Sequence, residues 1–126
     1  MILFVNEYSE MAQHLKTGEQ GEEIARNFLT MQGYEILATN FTYEKSEIDI
    51  IAKDDDTIVF VEVKTRSSKR FGLPEEAVTE KKQEKLMEGA TYFLEENKIS
   101  SPIRFDIIAI YLYKGQSEIF HIKDAF

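Results

Sequence analysis

Asp49, Glu62 and Lys64 interrupt segments that are otherwise apolar, and their types and spacing point to divalent-cation chemistry. Asp49 lies in Glu47-Ile48-Asp49-Ile50-Ile51-Ala52. Glu62 and Lys64 lie in Thr57-Ile58-Val59-Phe60-Val61-Glu62-Val63-Lys64. Both segments read as strands, being short and rich in β-branched residues. Alternate side chains of a strand share a face, so Glu62 and Lys64 go with Ile58 and Phe60, while Val59, Val61 and Val63 take the other side. A charge therefore stands where the pattern predicts a core residue. Such a charge is costly unless it is paired, protonated or metal-bound.

The register sharpens this. If Asp55 and Asp56 form a two-residue hairpin loop, Asp54 pairs with Thr57, Asp49 falls opposite Glu62, and Glu47 falls opposite Lys64. A slip of one residue would send Asp49 and Glu62 to different faces. Two carboxylates facing each other across a ladder repel. Mg²⁺, which takes oxygen ligands from one or two carboxylates plus water and phosphate, would remove that cost. The competing reading is a solvated sheet face with a Glu47–Lys64 ion pair. A Glu-x-Lys triplet alone carries no weight. Asp followed about a dozen residues later by apolar-Glu-apolar-Lys, on two adjacent strands, carries more.

Other candidates come from the helices. Glu22 borders a stripe of Ala25 and Leu29, at i+3 and i+7, while Glu23 points toward water. Glu22 is thus placed to reach the end of the sheet, or else is a first-turn acid favoured by the helix dipole. Lys82 and Gln83 precede Leu86 and Met87 by one turn; they reach the same site or a phosphate, or form a solvated helix start. His14 and His121 are too far apart to suggest a ligand pair.

The elements that must position these residues are predicted as follows. Ile24, Ala25, Phe28, Leu29 and Met31 recur at helical spacing, giving a helix from about Gly18 or earlier to Gln32, stopped by Gly33. Tyr34–Asn40 reads as a strand, followed by the two described above, with Asp54-Asp55-Asp56 as a turn. Ser67–Pro74 is a loop. A second helix begins between Glu75 and Thr79, ends near Asn97, and buries Leu86, Met87, Ala90, Phe93 and Leu94. Arg104–Tyr113 is a strand, Lys114-Gly115-Gln116 a turn and Glu118–Ile122 a last short strand. The order is α-β-β-β-α-β-β. The fold class is α/β with a mixed central sheet flanked by helices, because two strands joined by a tight turn are antiparallel.

At 126 residues and 43% hydrophobic content the chain fits one domain with a real core. The absence of cysteine excludes disulfides, zinc–thiolate sites and thiol nucleophiles. No apolar run nears the roughly 18 residues that span a bilayer, and the start lacks a signal peptide's basic residues. A soluble cytoplasmic protein without membrane partners is expected. The net charge of −8 argues against coating nucleic acid by bulk attraction. Between Lys64 and Lys85, however, seven basic residues meet four acidic ones, so this segment is +3 and the rest −11. Any nucleic-acid contact belongs there, unless Arg66–Arg70 is simply a solvated loop.

Longer strings carry a resemblance. Gly18-x-x-Gly21-Glu22-x-x-Ala25 and Gly33-Tyr34-x-Ile36-Leu37-x-x-Asn40 open it. Glu47–Ala52, Val59–Arg66, Gly72-x-Pro74-x-Glu76-Ala77-Val78 and Arg104-Phe105-Asp106 continue it. Together they resemble the YraN family of uncharacterised bacterial proteins, over about residues 12–126. Residues 1–11 read as an extension, Met11-Ala12 looking like a more usual start. That family resembles the PD-(D/E)XK nuclease superfamily, with the restriction-endonuclease-like fold, and is similar to archaeal Holliday-junction resolvases. Asp49 then matches the motif aspartate, Glu62 and Lys64 the Glu-x-Lys, and Glu22 the acidic residue of the first helix. The resemblance implies a metal-dependent DNA endonuclease, structure-selective or nonspecific, or a non-catalytic nucleic-acid-binding protein descended from one. Asp49 and Glu62, with the Val63 carbonyl and waters, would hold Mg²⁺ or Mn²⁺, and Lys64 would orient water or stabilise charge on phosphate. Glu22 would tune the site. Arg66, Lys69, Arg70, Lys82 and Gln83 would contact DNA, branched or junction DNA among the candidates. Two cuts at a junction would imply a homodimer. Ser46 stands where many members have Gly. Thr42 replaces a common Arg, removing one phosphate contact.

Overall fold

The computed structural model describes residues 2–4, 10–67 and 78–126, with side chains described from residue 18 onward. The elements run β1 (Ile2–Phe4), α1 (Glu10–Met31), β2 (Glu35–Tyr43), β3 (Ser46–Asp54), β4 (Thr57–Arg66), α2 (Glu80–Glu96), β5 (Ile103–Tyr113) and β6 (Gln116–Ile122). After β1, this is the α-β-β-β-α-β-β order expected from the sequence. The sheet order is β1-β6-β5-β4-β3-β2. Among the described residues only β4 and β5 pair in parallel; the other four pairings are antiparallel. The reason is connection length. Two-residue loops force β2/β3, β3/β4 and β5/β6 to be hairpins, whereas α2 lies between β4 and β5 and permits a parallel return.

Each hairpin loop contains a left-handed residue: Glu44, Asp55, and Lys114 with Gly115. α1 ends at Gly33, whose φ of 92° lets Tyr34 N–H reach the Leu29 carbonyl at 3.0 Å. α2 starts at Thr79, whose hydroxyl accepts the Lys82 N–H at 3.2 Å, and stops at Asn97.

The two helices cover opposite faces. Ile24, Ala25 and Leu29 of α1 pack on Ile50, Ala52, Val59, Val61, Ile108 and Ile110. Leu86, Ala90 and Phe93 of α2 pack on Ile48, Ile51, Ile58, Phe60, Phe105 and Ile107. Met87, expected in the buried stripe of α2, is 47% exposed; Gly89 and Ala90 provide the close contact instead. β2 runs three residues past its expected end at Asn40. Asn disfavours regular strand, but here it adopts φ 50° inside one. No helix among the described residues is long and apolar enough to cross a membrane.

Candidate active site

β3 and β4 pair from Asp54↔Thr57 to Ile50↔Val61, the register expected from the sequence. Ladder pairing ends there. Asp49 does not complete a ladder pair with Glu62; its Oδ2 instead accepts the Val63 N–H at 2.8 Å. The expected picture of two carboxylates facing each other on one face needs this correction. Ile48 packs on the α2 side and Ile50 on the α1 side, although residues two apart in a regular strand share a face. The strand turns over at Asp49, so its carboxylate projects between the faces, along the sheet toward β4.

Glu62 points to the α2 side, with Phe60. It is buried, at 5% exposure, and meets two ammonium groups: Lys82 Nζ at 2.6 Å and Lys64 Nζ at 3.3 Å from the same Oε1. Glu22 approaches Asp49 from the α1 side, where the two carboxyl groups share a hydrogen bond when one of them holds a proton and repel when both are ionised. Gly21 makes that approach possible, because a Cβ there would collide with Thr65 of β4. Glu47 pairs with Thr42 of β2 and lines the cleft. Lys64 is engaged with Glu62 on its own strand rather than opposite Glu47.

Electrostatics follow from this crowding. Burial, then the Glu62 charge, pushes the Asp49 carboxyl up to about 7; Glu22 and Glu47 add to the rise, and the Val63 N–H opposes it. Burial also raises Glu22, against the pull of Arg26. Lys64 is pushed below the ordinary lysine range by burial and by Lys82 beside it. Burial is the largest influence on Lys82 and opposes its charge, but the hydrogen bond to Glu62 together with the Glu62 and Asp49 charges raises it overall. The shorter ion pair thus belongs to the more firmly protonated lysine.

A cleft of about 430 Å³ opens over these groups. Glu47, Asp49 and Glu62 line it, and Lys45, Lys81, Lys82 and Lys85 give it basic walls. Carboxylates at the floor and ammonium groups at the rim suit a cation below and a phosphate above. Ser46 is buried and donates its hydroxyl to the Lys85 carbonyl at 2.7 Å, tying the β2–β3 hairpin to α2.

Of the residues singled out from the sequence, Glu22, Asp49, Glu62, Lys64 and Lys82 come together. Val63 joins them through its N–H; in extended backbone its carbonyl leaves the strand on the same side. Arg66 is half-buried at the end of β4, beside Tyr111 of β5. The Gln83 amide turns back to the Val78 carbonyl at 3.1 Å and so serves the start of α2. Lys69 and Arg70 lie outside the described residues. Lys45 was missed because a hairpin lysine is an ordinary solvated residue. Asn40, opposite Asp49 in the β2–β3 register, carried no signal beyond its place in a family string.

A second polar cluster lies on β5 and β6, where Asp106 pairs with Val61 of β4. Asp106 is fully buried and accepts from Arg104 Nε at 2.8 Å, Arg104 Nη2 at 3.0 Å and the Asp124 N–H at 3.0 Å, with His121 Nε2 at 2.7 Å. Arg104 also donates to Asp54 and to the Tyr34 hydroxyl. His121 is thus a partner of Asp106.

A profile of the family described as Uncharacterised protein family UPF0102 matches residues 21–110. The chain is similar to the UPF0102 protein of Christiangramia forsetii, with 44% identity over 116 residues, covering 92% of this chain and 98% of the relative. The UPF0102 protein of Clostridioides difficile is 46% identical over 110 residues, 86% and 95% of the two chains. That of Caldicellulosiruptor bescii is 48% identical over 115 residues, 88% and 97%.

Proposed function

This chain belongs to the uncharacterised protein family UPF0102, and we propose that within it the Asp49 cleft works as the active site of a metal-dependent DNA endonuclease, structure-selective or nonspecific. The observation that carries the reading is the aim of Asp49. Its carboxylate leaves the ladder and meets Glu22 from one face and the Glu62 charge from the other. Nothing in the folding of a sheet rewards gathering acids this way, and a cation would.

The donor chemistry fits Mg²⁺ or Mn²⁺ as a two-carboxylate set, Asp49 and Glu62, completed by the Val63 carbonyl and water. Among the described residues no group of three or more His, Asp or Glu side chains is arranged to hold a metal, so Glu22 acts on the site through Asp49. When bound, the ion supplies Lewis acidity toward the scissile phosphate. Lys64 orients the attacking water or meets the charge growing on phosphate; its lowered proton affinity suits a group that exchanges hydrogen bonds there. Lys45, Lys81 and Lys85 line the cleft and hold backbone phosphates without reading sequence. Arg66, Lys69, Arg70 and Lys82 extend that contact. A homodimer would supply the second cut that a junction requires.

The test is a divalent-metal titration followed by thermal unfolding. A metal that binds the folded protein raises its stability by mass action, so wild type gains Tm with Mn²⁺ and Asp49→Ala does not. Mn²⁺-dependent cleavage of branched or nicked DNA is lost in the same variant. A wild-type Tm indifferent to Mn²⁺, with no cleavage, overturns the proposal. One observation favours a second reading, a non-catalytic nucleic-acid-binding protein: Lys82 holds Glu62 at 2.6 Å and neutralises a carboxylate that the cation needs. DNA binding that persists without cleavage under every divalent metal selects that reading.

A further inference from the structure

Asn40 has a left-handed backbone, with φ 50°. The other non-glycine residues with positive φ among those described sit in hairpin loops or after α2 and β6: Glu44, Asp55, Lys98, Lys114 and Asp124. Asn40 alone lies inside a strand. Its place in the register is specific. Thr39 pairs with Ile50 and Phe41 with Ile48, so Asn40 falls opposite Asp49, and that pair is missing from a ladder that otherwise runs without a gap from Ala38 to Tyr43.

Both strands turn over at this point. On β2, Ala38 and Phe41 pack on the same α2-side cluster although they are three residues apart. On β3, Ile48 and Ile51 do the same. In a regular strand, residues three apart face opposite ways. One left-handed residue shifts the alternation of β2 by a single position, and β3 follows through its paired neighbours. Strict alternation would instead set Asp49 on the α2 side with Ile51, beside Glu62 but away from Glu22 on α1. With the turnover, Asp49 is freed from both ladders, lies between the faces and accepts the Val63 N–H.

We infer that Asn40 is the positioning residue for Asp49: its left-handed backbone releases Asp49 from the β-ladder and aims the carboxylate at Val63, Glu22 and Glu62. The choice of residue has a physical reason. L side chains rarely adopt this region, Asn is several-fold enriched in it, Gly enters it freely and β-branched residues are excluded. The inference concerns geometry and rests on the endonuclease reading only for its consequence, that the cation site depends on Asn40.

The experiment reads the Val63 amide directly. Hydrogen exchange of the metal-free full chain is followed by NMR for wild type, Asn40→Gly, Asn40→Ala and Asn40→Val. Wild type protects Val63 through the Asp49 carboxylate. Asn40→Gly keeps that protection, because glycine reproduces the backbone. Asn40→Val loses it by about tenfold or more, while the Ile50 and Val59 amides keep their order of protection. Asn40→Ala, which enters the left-handed region at a smaller cost, gives an intermediate loss and replaces the valine variant if that one does not fold. A general destabilisation would speed all these amides together. Unchanged Val63 protection in Asn40→Val and Asn40→Ala overturns the inference, as does equal loss in Asn40→Gly. Mn²⁺ binding, read by electron paramagnetic resonance, is expected to weaken about tenfold in Asn40→Val and to hold in Asn40→Gly. If wild type binds no Mn²⁺ but the glycine–valine contrast at Val63 holds, the endonuclease reading fails and the positioning role stands. If wild type binds Mn²⁺ and the contrast is absent, the positioning role alone falls.

Discussion

Asp106 and Asp49 are carboxylates of the same sheet, with one strand between them: Asp106 of β5 pairs with Val61 of β4, which pairs with Ile50 of β3, next to Asp49. Around Asp106 the protein supplies both guanidinium contacts of Arg104, the His121 ring and the Asp124 N–H. Burial would raise this carboxyl, but the hydrogen bonds from His121, Arg104 and the Asp124 N–H, with the Arg104 charge, together hold it below the ordinary range. Arg104 is raised in turn, chiefly by its hydrogen bonds to Asp106. Around Asp49 the protein supplies the Val63 N–H and crowds in Glu22, Glu47 and Glu62. A buried acid whose acceptors are filled is part of the scaffold. One surrounded by like charge stores unfavourable energy that a ligand can release.

The two acids therefore pull stability in opposite directions with pH. Asp106 has a folded-state pKa below its unfolded value near 3.8, so its contribution is present above that value and is lost as pH falls through the depressed one. Asp49 has a folded-state pKa of about 7, above its unfolded value, so its contribution is present below pH 3.8 and is lost as pH rises through about 7.

The largest expected effect breaks the scaffold side of this comparison. Asp106→Asn removes a fully buried charge from the half-buried Arg104 and costs about 3–5 kcal/mol at neutral pH, as measured by urea unfolding. A loss under about 1 kcal/mol would mean that the two clusters do not differ in kind. Next is Asp49→Asn, which keeps an acceptor for the Val63 N–H but removes the repelled charge. It gains about 1–3 kcal/mol at pH 8, and the gain shrinks toward zero near pH 4. A destabilised Asp49→Asn at pH 8 would show that the ionised acid is already satisfied. The smallest concerns the cleft wall. Thr79→Ala removes the α2 cap beside Lys82 and costs about 1 kcal/mol in the same assay. No change would show that the start of α2 is held by Gln83 and Val78 alone.

Much of this was legible in the sequence because local rules agree with one another. Hairpin loop length gave the β3/β4 register, and β-branched runs gave the strands that carry Asp49, Glu62 and Lys64. Helical periodicity placed Glu22 at the edge of the buried stripe of α1. The turnover at Asp49 was not legible, because period-2 alternation assumes a regular strand and the irregularity is set by the backbone of a neighbouring one. Asn40 read as a strand end for the same reason. The double claim of Lys64 and Lys82 on Glu62 was also hidden, since it depends on how α2 docks over β4. Asp106 and His121 are 15 residues apart, and only the β5–β6 pairing makes them neighbours.

β2 forms one rim of the sheet and is nine residues long, enough backbone to recruit a strand from another molecule. Two breaks divide it: the register shift at Leu37 and the left-handed Asn40. An incoming strand would find no straight run of amides and carbonyls longer than a few residues. The kink that orients an acid inside the cleft thus also blunts the open border of the sheet, guarding the chain against polymerising with its own copies.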